Sequence, residues 1–343
     1  MVSWLLMNGI PVYIYGTPGV LGGATTKITH LLGLLRGHVP LQVVAPGVPQ
    51  LHDRDARRIL RDLEIPFGLL KDLSPGTGGT VLAVCEREFF SSGTARRFRD
   101  LGLRIVWSNE MMFPFPGEAE AAREGLIDRV LYVSEHQADT LRETHAGVSS
   151  RLTGNYIDPA DFPFVERRNP AFTLGRLSRA DIEKYPLDFP VFYEELDLPE
   201  ARFRVMAWNG ELDKQDRWHR FGPQWELLPA NRELAARFLG SLDVFLYPLG
   251  HRVKESWGRA VVEAMLTGAV PVVPVGHHFE KLITHGESGF VCREYREYRD
   301  VVRRLHEDAP WRRQMSRQAA DHARDRICNA EEHRRVWLEA LDF

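Results

Sequence analysis

The sequence predicts an α/β chain of two doubly wound, Rossmann-like domains. Three observations carry that expectation: short apolar runs that barely alternate, a helix-period stretch after each of them, and one break near the middle of the chain. The first run, Val12 to Tyr15, ends in glycines and leads into helical periodicity over residues 24–35. Further runs follow at 41–46, 80–85, 103–107 and 129–134. The break is NYIDPADFPFVERRNP, residues 155–170, where prolines and acids collect without periodicity. Beyond it the alternation restarts at 171–176, 203–208, 242–248 and 269–274, and arginine-rich amphipathic segments at 294–306, 310–326 and 330–341 close the chain as helices. The expected domains are therefore 1–165 and 166–328, followed by a terminal helix in 329–343.

Length and composition agree. At roughly 150 residues per domain, 343 residues make two cores, and 44% apolar with 27% charged residues is ordinary globular usage. The net charge is −3, with 16 basic against 18 acidic residues up to residue 165 and 28 against 29 beyond it. Neither half is cationic, which weighs against nucleic acid as a partner and does not favour docking to a membrane. Six lysines against 38 arginines point to GC-rich coding. Cys85, Cys292 and Cys328 form no CxxC pair, as expected of reduced thiols in the cytoplasm. The opening MVSWLLMNGIPVYIYG lacks the basic start of a signal peptide, and no apolar run has the length of a membrane span.

Two segments offer chemistry. GTPGVLGGATTK, 16–27, places Gly22 and Gly23 between a strand and a helix, with Thr25 or Thr26 as expected caps. Glycines let backbone amides approach an anion at a helix start, and the alternative is a tight turn that binds nothing. A dinucleotide fold also needs an acid at the end of the second strand, where this chain has Val44-Ala45-Pro46-Gly47, so NAD and FAD are disfavoured. The second segment, KESWGRAVVEAMLTGAVPVV, 254–273, sets Glu255 at a loop-to-helix junction and Glu263 within apolar neighbours. Eight residues of helical rise separate them by about 12 Å, too far to share one scissile bond, so they would touch different parts of an extended ligand.

Glu-x7-Glu followed by Ala-Met, a glycine, a Pro-Val-Val strand and HGESGFV closely resembles the donor-binding region of the retaining glycosyltransferases of family 4, over residues 254–291. Gly22-Gly23, YVSE at 132–135 with NYIDPADF at 155–162, and GRLS at 175–178 extend the resemblance in the expected order. It implies the GT-B fold, two Rossmann-like domains facing a cleft, with the last helix crossing back to the first domain. It further implies a nucleotide-sugar donor, UDP foremost, and a small-molecule or glycan acceptor. Arg176 and a nearby lysine would neutralise the donor diphosphate, Glu263 would bind the ribose, and Glu255 would lie beside the sugar. Ser256, Trp257 and Gly258 would face sugar and phosphates. The usual lysine position is Asp181 here, and Lys184 is the substitute. Compact length and arginine-rich coding look similar to family members that tailor antibiotics such as avilamycin.

Cleaving a nucleotide-sugar bond builds negative charge on the departing diphosphate, which fixed cations and helix amides stabilise. Arg176 and Lys184 supply those cations, and no DxD-like pair stands at a strand end, so no metal or other cofactor is expected. His251, His277, His278 and His285 match no zinc spacing, although His277 or His278 would touch the donor by resemblance. WSNEMMFPFP, 107–116, follows a strand and offers Asn109 and Glu110 to an acceptor, with His136 a third candidate; packing of Phe113 and Phe115 under a loop is the alternative. The readings kept beside glycosyl transfer are a nucleotide-sugar epimerase or phosphorylase of the same fold, a catalytically silent nucleotide or carbohydrate binder, and an NAD-dependent oxidoreductase.

Overall fold

The computed structural model describes residues 10–167, 171–198 and 200–343. The first nine residues of the opening segment and residues 168–170 of the expected linker lie outside the described residues. The chain divides into two compact units, one made of residues 10–156 with Ala330–Phe343, the other of Ile157–Asn329. The division falls nine residues before the expected boundary because the segment after Ile157 bonds to the second unit. There Val165 N–H donates to Thr267 O, and Arg167 donates to Leu239 O and Leu242 O.

Unit 1 holds seven parallel strands, β1 (Val12–Tyr15), β2 (Leu41–Ala45), β3 (Phe67–Leu69), β4 (Thr80–Val84), β5 (Arg104–Ser108), β6 (Arg129–Tyr132) and β7 (Ser149–Leu152), in the order β3-β2-β1-β4-β5-β6-β7. The central strands are buried end to end, which is why they read as short continuous apolar runs. Tyr15 pairs with Val44 on one side and Ala83 on the other. Helix α1 (Gly23–Leu35) covers one face of this sheet. Its Leu31, Leu32 and Leu35 share a core with Val12, Ile14 and Trp337, the last from the terminal helix Ala330–Leu341.

Unit 2 holds six parallel strands, β8 (Thr173–Leu177), β9 (Arg202–Met206), β10 (Trp225–Leu228), β11 (Val244–Leu246), β12 (Val270–Pro274) and β13 (Phe290–Cys292), in the order β10-β9-β8-β11-β12-β13. In both sheets the order reverses once, between β1 and β4 and between β8 and β11. In open α/β sheets the crevice at the carboxyl ends of such a pair is where ligands bind. The order of unit 1 is the Rossmann order, yet β2 runs into Pro46-Gly47 without the acid a dinucleotide ribose needs.

Candidate functional site

The loops leaving β8 and β11 meet at the switch point of unit 2. After β8, Asp181 accepts from Glu183 N–H at 3.1 Å and caps a short 3-10 turn, Ile182–Lys184. The carboxylate at the resembled family's lysine position thus shapes the turn that carries Lys184. Gly250, in the loop after β11, presses on this turn. A β-carbon there would meet Glu183 O at 2.2 Å.

Lys184 Nζ pairs with Glu255 Oε1, and Tyr247 donates its hydroxyl to the same oxygen at 3.1 Å. Both charged side chains are 13% exposed. Burial alone would raise the Glu255 carboxyl, but the charge and hydrogen bond of Lys184, the Tyr247 hydroxyl and the nearby Arg179 outweigh it and hold the pKa below the usual value. Tyr247 is pushed well above its ordinary value by burial and by the Glu255 charge, so it remains a donor. Behind Glu255, its backbone N–H donates to His277 Nδ1 at 3.3 Å, so this histidine supports the carboxylate's main chain.

Glu255 is not on the helix. Ser256 is half-buried, Trp257 is buried, and Gly258 turns the chain with φ of 108°, so α2 (Arg259–Leu266) begins only at Arg259. A β-carbon at Gly258 would also lie 2.6 Å from the Phe279 ring. The 12 Å separation drawn from uniform helical rise is therefore corrected: the left-handed turn interrupts the helix between the two acids. Glu263 lies on α2, largely buried, with Arg259 Nε 2.8 Å from its carboxylate at i,i+4 spacing.

Arg176 has no exposed surface. Its guanidinium lies 4.0 Å from the Tyr185 ring centre and 4.5 Å from that of Tyr247. It donates to Pro248 O at 2.7 Å, and to Lys184 O and Ser178 Oγ at 3.2 Å each.

In unit 1, Gly22 precedes α1 with φ of 87°. Thr25 and Thr26 do not cap the helix. Both sit inside its first turn and donate to the Gly22 carbonyl at 3.1 and 2.7 Å, because the helix starts at Gly23 with Gly22 as its cap, ahead of both threonines. Asn109 is not available to an acceptor. Fully buried, it donates to both Glu118 oxygens at 2.8 Å and to Phe113 O, and accepts from Met111 N–H. Glu118 itself also receives Trp107 Nε1–H, Phe115 N–H and His145 Nε2. Glu110 accepts from Ser108 Oγ at 2.6 Å and pairs with the buried Lys27. His136 is half-buried, and its Nε2 has no partner among the described residues.

The buried Lys27, Glu118 and Tyr247 escaped sequence reading because nothing local distinguishes a buried charged or phenolic group from a surface one. Glu86, just past β4 at the switch point of unit 1, escaped too. Burial pushes its carboxyl up to about 7. Among the described residues, no three His, Cys, Asp or Glu side chains gather as metal ligands, and no helix is long and apolar enough to cross a membrane.

Residues 220–322 match the family model described as glycosyl transferases group 1, a segment that includes Glu255 and Glu263. No curated protein matches the chain by sequence. Among solved structures, Anabaena Alr3699/HepE in complex with UDP and glucose is 16% identical over 97% of this chain and 99% of its own, with a TM-score of 0.74. A glycosyltransferase from Rickettsia africae is 9% identical over 97% and 99%, with a TM-score of 0.75. The sucrose-phosphate synthase of Thermosynechococcus elongatus is 11% identical over 96% and 98%, with a TM-score of 0.69. The chain has the GT-B glycosyltransferase fold, and its second unit carries the segment that the group 1 glycosyltransferase model describes.

Proposed function

We propose that this protein is a retaining glycosyltransferase of the family 4 type that moves a sugar from a nucleotide diphosphate, UDP foremost, to an acceptor hydroxyl without a metal. The observation that carries the reading is the Lys184–Glu255–Tyr247 cluster at the switch point of unit 2, beside the turn that starts α2. The match of residues 220–322 and the UDP and glucose bound by Alr3699/HepE support the same ligand class.

In this reading Lys184 meets the diphosphate, where its charge stabilises the departing oxygens. The amides at the start of α2, behind Ser256-Trp257-Gly258, add the helix dipole on the same side. Glu255 accepts hydrogen bonds from the donor sugar, and Glu263 accepts them from the ribose. The bond from the anomeric carbon to the diphosphate oxygen breaks with its electron pair on the diphosphate. The acceptor oxygen bonds to the same face, and its proton passes to the departing phosphate oxygen. In unit 1, Glu110 and His136 are the residues offered to an acceptor. Three cysteines without disulfides suit a reducing compartment such as the cytoplasm.

The test is a screen of UDP-, GDP- and dTDP-sugars by titration calorimetry, followed by transfer to a panel of hydroxyl acceptors with and without chelator. Transfer with retained anomeric configuration, undiminished by chelator, is expected. Isomerisation of the donor sugar without its transfer would make the protein an epimerase. Binding that survives Glu263→Ala, with no turnover on any acceptor, would make it a silent binder.

A further inference from the structure

We infer that Glu86 is an acceptor-binding residue of unit 1, and that the acceptor it selects is a polyhydroxylated molecule without a phosphate, such as a sugar or polyol. The inference rests on the glycosyl-transfer reading proposed above and names its acceptor class.

The strands at the switch point of unit 1 end in register. Tyr15 pairs with Ala83 and Val84 with Ser108, and two residues beyond β1, β4 and β5 stand Thr17, Glu86 and Glu110. Cys85 N–H donates to Ser108 O at 2.8 Å, and a β-carbon on Gly16 would lie 3.6 Å from Glu86 Oε1. Glu86 thus sits between the loops that leave β1 and β5. Cys85 and Glu110 hold left-handed φ values of 54° and 68°, a strain that gathers at ligand sites.

The Glu86 carboxylate has no hydrogen bond or ion pair among the described residues. Burial raises its pKa to about 7, and no cation, the neighbouring Arg87 included, offsets that. A half-buried carboxylate left so destabilises the fold, and hydroxyls of a bound molecule relieve it. Two more polar atoms of this edge, Thr17 Oγ1 and Nε2 of His136, are buried without partners among the described residues. Gln137 donates to Met111 O at 2.8 Å, which holds the helix carrying His136 against the loop after β5.

Charge decides the acceptor class. Lys27, the buried cation here, is engaged by Glu110 and Ser108. A phosphate at this edge would therefore meet the Glu86 charge in partly desolvated surroundings and be repelled. Hydroxyls suit the carboxylate, which accepts several at once. The exposed Val20 and Leu21 before α1, and Phe113 after β5, add apolar surface for the carbon–hydrogen faces of such a molecule.

The experiment compares the parent, Glu86→Gln and Glu86→Ala as full chains, with the nucleotide sugar that binds tightest in the screen above. The acceptors are methyl hexosides and inositol, set against hexose and inositol monophosphates, at pH 8, above the carboxyl's value of about 7. By kcat/KM the parent is expected to prefer the unphosphorylated set about tenfold. Glu86→Gln keeps the hydrogen bonds and loses the charge, so it should bring the two sets within about threefold. Glu86→Ala should raise the KM of the unphosphorylated acceptors about tenfold, the order of two lost hydrogen bonds. The donor KM should stay within about twofold, because the donor residues lie in the other unit. Removing an unpaired buried charge stabilises the chain, so a folding defect does not explain a loss in Glu86→Gln. An unchanged acceptor KM in Glu86→Ala would overturn the inference. So would a parent that binds donor but prefers the phosphates, or that uses none of the unphosphorylated acceptors. A parent that binds no nucleotide sugar sinks the glycosyl-transfer reading itself, which is a separate result.

Discussion

Lys184 and Glu255 stand 71 residues apart in the chain and meet as an ion pair at the carboxyl ends of β8 and β11. Neither lies in a strand or helix of length. Each is placed by a loop that leaves one of the two strands at the switch point, which is why a parallel sheet can bring such distant residues together.

Removing one partner leaves the other charge half-desolvated. Lys184→Met is expected to cost about 2–3 kcal/mol at pH 7, below the range for a fully buried pair because both side chains keep some solvent. The sign with pH follows from the lowered Glu255 pKa. The pair's contribution is present above the unfolded carboxyl value, near 4.5, and is lost as pH falls through the lower folded value. Urea melts of parent and variant should therefore converge as pH falls below that window. A gap of constant size would show that the ion pair is not its source.

Glu263→Gln keeps the shape of the side chain but loses its charge. The assignment to ribose predicts UDP binding weaker by about 1.5–3 kcal/mol, with stability falling by no more than about 1 kcal/mol. Calorimetry with UDP and 2′-deoxy-UDP separates this from a folding defect. The variant should discriminate the two nucleotides less than the parent does.

Glu86 bears on pH in the opposite sense to Glu255. Burial raises its folded pKa to about 7, above the ordinary 4.5, so between those values the folded chain holds a proton the unfolded chain has released. Its contribution to stability therefore falls as pH rises through that window. Glu86→Gln should raise Tm by about 2–4 °C at pH 8, the shift for roughly 1 kcal/mol in domains of this size, and change it little at pH 4. Differential scanning calorimetry at both pH values is the check.

Asn109 and Glu118 belong to the fold of unit 1. Glu118→Ala strands the Trp107, Asn109, Phe115 and His145 donors in the interior and should cost about 3–5 kcal/mol. Asn109→Ala should lower stability by about 1–3 kcal/mol and leave UDP affinity unchanged. Thermal melts with parallel UDP titrations distinguish the two effects.

Gly258→Ala meets two obstacles, a left-handed φ of 108° and the Phe279 ring. A loss of about 2–4 kcal/mol follows from strain and overpacking together. Denaturant unfolding should show it even where UDP is absent.

The sequence by itself determined the class of the fold and most of its central strands. β1, β2, β4, β5 and β6, then β8, β11 and β12, are largely buried on both faces and β9 on one, so each reads as a short apolar run. The four strands that reading missed, β3, β7, β10 and β13, are the edges of the two sheets. Burial there is partial, and β7 is exposed throughout, so their residues carry little of the apolar signal by which a strand is recognised. That Glu255 and Glu263 belong to one segment was legible, but their separation was not, because the turn at Gly258 interrupts the helix between them.

Tertiary structure alone decided what each charged group faces. Arg176 and Asn109 stand in sequence as polar residues at strand ends, the usual place for ligand contacts. The fold turns Arg176 beneath two tyrosines and Asn109 onto Glu118. A buried polar group needs its hydrogen bonds met by whatever the packed chain brings near, and the partners here come from as many as 72 residues away. No local pattern records such a meeting.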